Sequence, residues 1–224
     1  SHNWLAIACL LTGTYGGLVL APPDYVQGDG FRIIYVHVPS AFLSMFSYGL
    51  MAVASGIGLI WRIKLAFCVA AATAPVGAAF TFMALATGAL WGQPMWGTYW
   101  EWDPRLTSEL ALLFLFLGSS FRRQALAETR QADRASGRLA LVGVVNLPII
   151  HYSVEWWSTL HQGPTIARLD APAITLGMLV PLLVMIIGFT LYFAWLVTRR
   201  LQGEVLERER QARWVQRLAA GELE

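Results

Sequence analysis

The chain has 224 residues, 56% of them hydrophobic and only 13% charged, with 16 Lys and Arg against 14 Asp and Glu. A soluble domain carries roughly 25% charged residues. At a mean hydropathy of +0.53 and a net charge of +2, the composition argues against a soluble enzyme, a disordered chain and a nucleic-acid-binding domain, and for a polytopic membrane protein.

A helix needs about 20 largely apolar residues to cross a bilayer. Six runs of that kind follow one another, at about 4–20, 38–61 (inside a stretch, 33–61, without a formal charge), 65–88, 106–121 with Glu109 inside it, 139–157 and 173–198. None alternates with period two, so the expected fold is all-α, a bundle of six transmembrane helices rather than a barrel. Cys9 and Cys68 lie in apolar runs with no CxxC pair and read as small buried hydrophobes. The remainder, 199–224, is of mixed charge, with Leu201, Val205, Trp214 and Leu218 at roughly helical spacing, and reads as an amphipathic cytoplasmic tail on a single membrane domain, 1–224. No cleavable signal peptide is expected, because nothing soluble follows the first apolar run.

Six spans bring both termini to one side, and the positive-inside rule selects it. The turn after the second span carries Arg62 and Lys64, the turn after the fourth carries Arg122, Arg123, Arg130, Arg134 and Arg138, and the tail carries six more cations. Only Arg32, Arg105 and Arg168 fall on the other side. Both termini are therefore expected in the cytoplasm, with outer loops at about 21–35, 89–105 and 158–170. No polar residues trace an evident path through the spans.

The middle outer loop holds Trp91, Trp96, Trp100 and Trp102, four of the ten tryptophans, and Trp156 and Trp157 adjoin the next outer loop. An aromatic belt accounts for scattered interfacial Trp, but Gly92, Pro94 and Gly97 break this segment and argue for a shaped loop rather than helix ends. A loop of indole faces makes a stacking platform for a large flat apolar ligand. Two histidines approach the same face. His37, two residues before Pro39, is expected just outside the second span, since proline suits a helix's first turn; His161 is on the third outer loop. Two neutral imidazoles bind transition metals well, and haem iron takes two axial ligands. Arg105 and Arg168 are the cations near these loops that could meet haem propionates. Zinc needs three or four protein ligands; with Glu155 or Asp103 recruited beside the histidines, spacing alone leaves that alternative open.

The surrounding polar residues also have plainer readings. Asp103 and Arg105 can hold the loop's shape, and Arg105 and Glu109 stand four apart, as an ion pair along one helix face would. An acid one turn inside a membrane is still a functional candidate. His151, inside the fifth span, reads as a buried, hydrogen-bonded histidine or a supporting group near the metal. His2 is terminal and uninformative.

The segment from Trp91 to Thr107, with Ser108 and Glu109, resembles the tryptophan-rich WWD signature of the haem-handling membrane protein family of cytochrome c maturation, in its haem exporter C branch. The segments Ile34-Tyr-Val-His-Val-Pro39 and Val154-Glu-Trp-Trp-Ser-Thr-Leu-His-Gln-Gly163 carry the same resemblance, which runs through all six spans. It implies a multi-pass protein of the bacterial inner membrane with its WWD loop outside. It implies haem b ligated at the periplasmic face by one histidine from each flanking loop, His37 and His161, with Trp91, Trp96, Trp100, Trp102, Asp103, Arg105, Trp156 and Trp157 around it. The implied partners are a periplasmic haem chaperone, CcmE, the ABC transporter subunits CcmA and CcmB, a small membrane protein, CcmD, and membrane lipid; nucleic acid is not among them. Position 99 is Tyr where another Trp is usual, a change that leaves stacking intact. The segment shows no nucleophile, general base or P-loop, so the expectation is haem handling rather than catalysis, with ATP used by partner subunits. The alternatives are a WWD-family haem lyase subunit and a membrane metal-dependent hydrolase.

Overall fold

A computed structural model describes residues 2–126, 128–157, 159, 161 and 174–221. Most of the expected third outer loop, Arg168 included, lies outside the described residues. Among them the chain is helical and forms no strand. Helix α1 (His2–Tyr15) runs on through a π-helical turn, Gly16–Leu20, and a 3-10 turn, Asp29–Ile33, leads into α2 (Ile34–Trp61). Then come α3 (Lys64–Trp96), α4 (Pro104–Ala125), α5 (Thr129–Gly143), α6 (Asn146–Trp156), α7 (Leu176–Arg208) and the short α8 (Arg213–Ala219). Among the described residues four helical segments are long and apolar enough to cross a membrane: Asp29–Trp61, Lys64–Trp96, Thr129–Trp156 and Leu176–Arg208. The first expected span is a shorter apolar helix, Trp4–Leu20. The fourth is α4, whose ends carry Arg105, Arg122 and Arg123.

Helices α2 and α3 form a central antiparallel hairpin, turned by Arg62 in the left-handed region (φ 56°). On one flank α7 lies against both, with α1 on α7; on the other, α4 packs on α3, and α5 and α6 close over α4. The first interface is filled by Leu43, Phe80, Leu182, Met185 and Phe189, the second by Tyr48, Met51, Leu112, Phe116 and Ile150. Gly77 lets α4 approach α3, since a Cβ there would collide with the Phe116 ring. Away from these interfaces the surface is apolar: Val53 is 62% exposed, Phe82 64% and Val142 72%. Such a surface is stable where the solvent is hydrocarbon.

The boundaries differ from the expectation in three places. Helix α2 starts at Ile34 because the 3-10 turn feeds straight into it, so Pro39 lies in its second turn and His37 inside the helix. The start is pinned by Tyr35, whose ring fills the space over Gly17 and whose hydroxyl donates to the Met178 carbonyl at 3.3 Å. Helix α3 continues through Trp96, and its Trp91–Trp96 segment is helix, not loop. Pro94 lies two residues before the helix ends and removes the backbone donor that would reach the Leu90 carbonyl. Termination falls to Gly97, which adopts φ 78° and donates its N–H to the Gln93 carbonyl at 3.0 Å. The loop proper is 97–103. The fifth expected span begins earlier, at Thr129, and is broken between α5 and α6 at 144–145.

Candidate functional site

At the end of the bundle where α2 begins and α3 ends, His37 is buried, only 8% exposed. Its Nδ1 lies 3.1 Å from the Ala84 carbonyl oxygen and 3.1 Å from Thr87 Oγ1, both on α3. The Thr87 hydroxyl proton is committed to the Met83 carbonyl at 2.7 Å. Both neighbours of Nδ1 can therefore only accept, which assigns the proton to Nδ1 and leaves the Nε2 lone pair for a ligand. This is the usual support for a metal-bound imidazole. Gly88 makes room for the ring: a Cβ there would stand 3.1 Å from His37 Cε1.

His161 is carried outside any helix, in the segment after α6, yet its ring centroid is 6.1 Å from that of His37. At that separation the two rings would leave room for one metal ion between them at bonds of about 2 Å. The residues present thus fit the group that the histidine and tryptophan pattern suggested. Among the described residues no three His, Cys, Asp or Glu side chains converge on one point, so the zinc alternative finds no ligand set there.

Two tryptophans of the last turns of α3 stand against this pair. Trp91 meets His37 edge-on at 5.6 Å and donates its indole N–H to Gln27 Oε1 at 3.0 Å, which ties the segment before α2 to the end of α3. Trp96 is 6.2 Å from His161. Trp100 and Trp102 form their own edge-to-face pair at 5.4 Å, and Trp102 is 73% exposed. Tyr99 is also largely exposed, at 60%. The Trp100 indole N–H and Asp103 Oδ2 are buried without a partner among the described residues. Asp103 caps α4, its Oδ1 accepting from the Leu106 N–H at 2.8 Å.

Arg105 and Glu109 feel one another's charge but make no direct hydrogen bond. Arg105 donates to the Ile150 carbonyl at 3.0 Å, fastening α4 to α6, and the buried Glu109 instead meets Ser44 Oγ at 2.6 Å. Ser40, Ser44 and Ser47 form a fully buried hydroxyl file along α2, so the bundle interior is more polar than the sequence suggested. His151 is exposed rather than buried and packs at 4.7 Å against Tyr152. Tyr152 stacks on Trp156 at 5.2 Å, and Trp156 meets Trp157 at 5.7 Å. These rings make a separate aromatic run on α6. Ala84, Thr87, Gly88 and Gln27 were not singled out from the sequence; the first three sit at helical spacing on α3, but nothing in their type marks them as supports of an imidazole.

The model of one family, heme exporter protein C, matches residues 1–216. Heme exporter protein C of Escherichia coli K12 is 53% identical over 218 residues, covering 96% of this chain and 88% of the relative. That of Haemophilus influenzae is 49% identical over 216 residues, with the same 96% and 88% coverage. That of Bradyrhizobium diazoefficiens is 50% identical over 208 residues, covering 92% of this chain and 79% of the relative.

Proposed function

This chain belongs to the heme exporter protein C family, and from that premise we propose that it holds haem b between His37 and His161 and presents it to a periplasmic haem chaperone. Family membership makes it a transmembrane haem-transport protein of cytochrome c biogenesis. The proposal adds the site, the side of the membrane and the recipient. The observation that carries it is the His37–His161 pair at 6.1 Å, with the His37 proton held on Nδ1 by α3.

In this reading all six hydrophobic segments span the inner membrane, both termini are cytoplasmic and the histidine pair faces the periplasm. The charge asymmetry supports that orientation. Iron ligation by two neutral imidazoles is what the site supplies. His37 is fixed by Ala84 and Thr87. His161 lies outside any helix, so it can leave the iron without disturbing the packing of α2 against α3. Trp91 and Trp96 wall the imidazoles, and Trp100 and Trp102 offer faces at the rim. Arg105 and Arg168 are the cations for propionates. Chemical change belongs to the recipient, and ATP hydrolysis to partner subunits CcmA and CcmB, with CcmD in the same assembly.

The test is transfer. The purified haem-loaded protein is mixed separately with the periplasmic haem chaperone CcmE and with an apocytochrome c, and haem is followed through a size separation. The proposal expects co-elution with the chaperone and haem appearing on it. Haem passing directly to the apocytochrome and not to the chaperone would make this chain a haem lyase subunit instead.

A further inference from the structure

At the opposite end of the bundle a cavity of about 460 Å³ opens between the α2–α3 turn and the start of α5. Its wall carries Arg62, Lys64, Arg130, Arg134 and Arg208. The only acid on the wall, Asp133, is already neutralised: Arg208 forks onto its two oxygens at 2.9 Å each, and Arg123 reaches Oδ1 at 3.0 Å. Arg62, Lys64, Arg130 and Arg134 make no ion pair among the described residues, and Arg208 Nε is buried without an acceptor there. A second cavity, about 550 Å³, shares Arg130 and Arg134 and adds Arg122 and Arg138. Helix α5 thus presents one row of arginines to two adjoining cavities, each with a single acid in its wall, Asp133 in the first and Glu128 in the second.

We infer that this cation-lined cavity binds the phosphate of an anionic phospholipid headgroup at the cytoplasmic membrane surface. Three observations select a lipid. The floor is apolar, made by Gly58, Leu59 and Phe67. The helices that bound it turn apolar side chains outward just above the cations: Ile60 is 69% exposed, Trp61 65% and Leu65 55%. Arg62 and Lys64 stand at the end of one apolar span and the start of the next, at the depth where headgroups lie. A headgroup phosphate among the arginines with its acyl chains along Ile60 and Leu65 satisfies both surfaces at once, as basic pockets between membrane helices do for acidic lipids. Arginine's planar fork suits phosphate oxygens. The starts of α3 and α5 add backbone donors, since neither has a side-chain cap.

The experiment is native mass spectrometry of the detergent-purified protein equilibrated with phosphatidylglycerol, and in parallel with phosphatidylcholine, inorganic phosphate and ATP. Phosphatidylglycerol adducts are expected to dominate. The double variant Arg130→Gln/Arg134→Gln should lower their affinity about thirtyfold, and Arg130→Lys/Arg134→Lys should restore most of it. Unchanged retention in the Gln variant would overturn the proposal, as would phosphatidylcholine held as well as phosphatidylglycerol. Phosphate or ATP bound more tightly than the lipid would assign the cavity to a soluble anion and overturn it too. Thermal unfolding of each variant in lipid-free detergent separates lost binding from lost folding, and the Lys variant carries the test if the Gln variant unfolds.

Discussion

The imidazoles of His37 and His161 lie 6.1 Å apart with their planes tilted by 33°, although 123 positions of sequence and four helices intervene between them. One comes from the first turn of a central helix and is locked by two acceptors on the neighbouring helix. The other comes from a connecting segment. A site built from one fixed and one non-helical ligand can grip a flat cargo and still release it without unpacking the bundle.

Thr87 should matter to haem although its side chain is one step removed from the ligand position. Thr87→Val removes one of the two acceptors at His37 Nδ1 and keeps the shape, while the Ala84 carbonyl remains. Loss of such a support costs about 10- to 100-fold in metal affinity, and one surviving acceptor argues for the lower end. Haem titration of the purified variant checks this, with thermal unfolding expected to stay near that of the parent.

The link between Gln27 and Trp91 predicts a local effect. Gln27→Ala strands a half-buried indole N–H, at a cost of about 1 kcal/mol. The segment 21–33 should become more open to proteolysis, and Trp91→Phe should reproduce that change while keeping the edge contact with His37. Limited digestion followed by mass analysis reads the cut positions directly.

Glu109 is in contact with Ser44 Oγ at 2.6 Å, and the same hydroxyl stands 2.9 Å from the Ala41 carbonyl. One hydroxyl proton cannot serve two acceptors at full strength. The shorter contact takes it: Ser44 donates to Glu109 Oε1, and the amide oxygen of a glutamine can accept the same bond. Glu109→Gln should therefore fold and bind haem like the parent. Glu109→Ala should lose about 1–3 kcal/mol by leaving a cavity and an unsatisfied hydroxyl. Thermal unfolding in detergent distinguishes them, and a Gln variant as unstable as the Ala variant would contradict this account of the Ser44 bond.

Asp133 joins α4, α5 and α7 through Arg123 and Arg208 and is only 5% exposed. Removing one partner from a buried ion pair leaves uncompensated charge and costs about 3–5 kcal/mol. Asp133→Asn should lower the thermal midpoint clearly, with haem affinity in the folded fraction unaltered because the site is at the other end of the bundle.

The apolar runs and the cation asymmetry were legible in the sequence because each rests on composition, and the grouping of Trp91, Trp96, His37 and His161 because successive spans return their outer loops to one face. The helix ends were not. Pro39 and Pro94 read as boundaries, yet one sits in a second turn and the other in a last turn, where each removes a backbone donor and the helix continues through it. Arg105 and Glu109 read as a pair along one helix, but the hydrogen bond of each goes to another helix, to Ile150 and Ser44. His151 read as buried because its span is apolar; in a bundle with lipid outside, an apolar run does not say which face turns inward. The supports of His37 were invisible because a threonine and a backbone carbonyl on α3 carry no local sign of what packs across from them.

The central claim is that His37 and His161 together ligate haem. The direct measurement is the optical spectrum of the purified, haem-loaded protein beside His37→Ala and His161→Ala, each with and without added imidazole. The parent should show a low-spin, six-coordinate haem spectrum, each variant should lose or alter it, and imidazole should restore it in both. Spectra unchanged in both variants would contradict the ligand assignment.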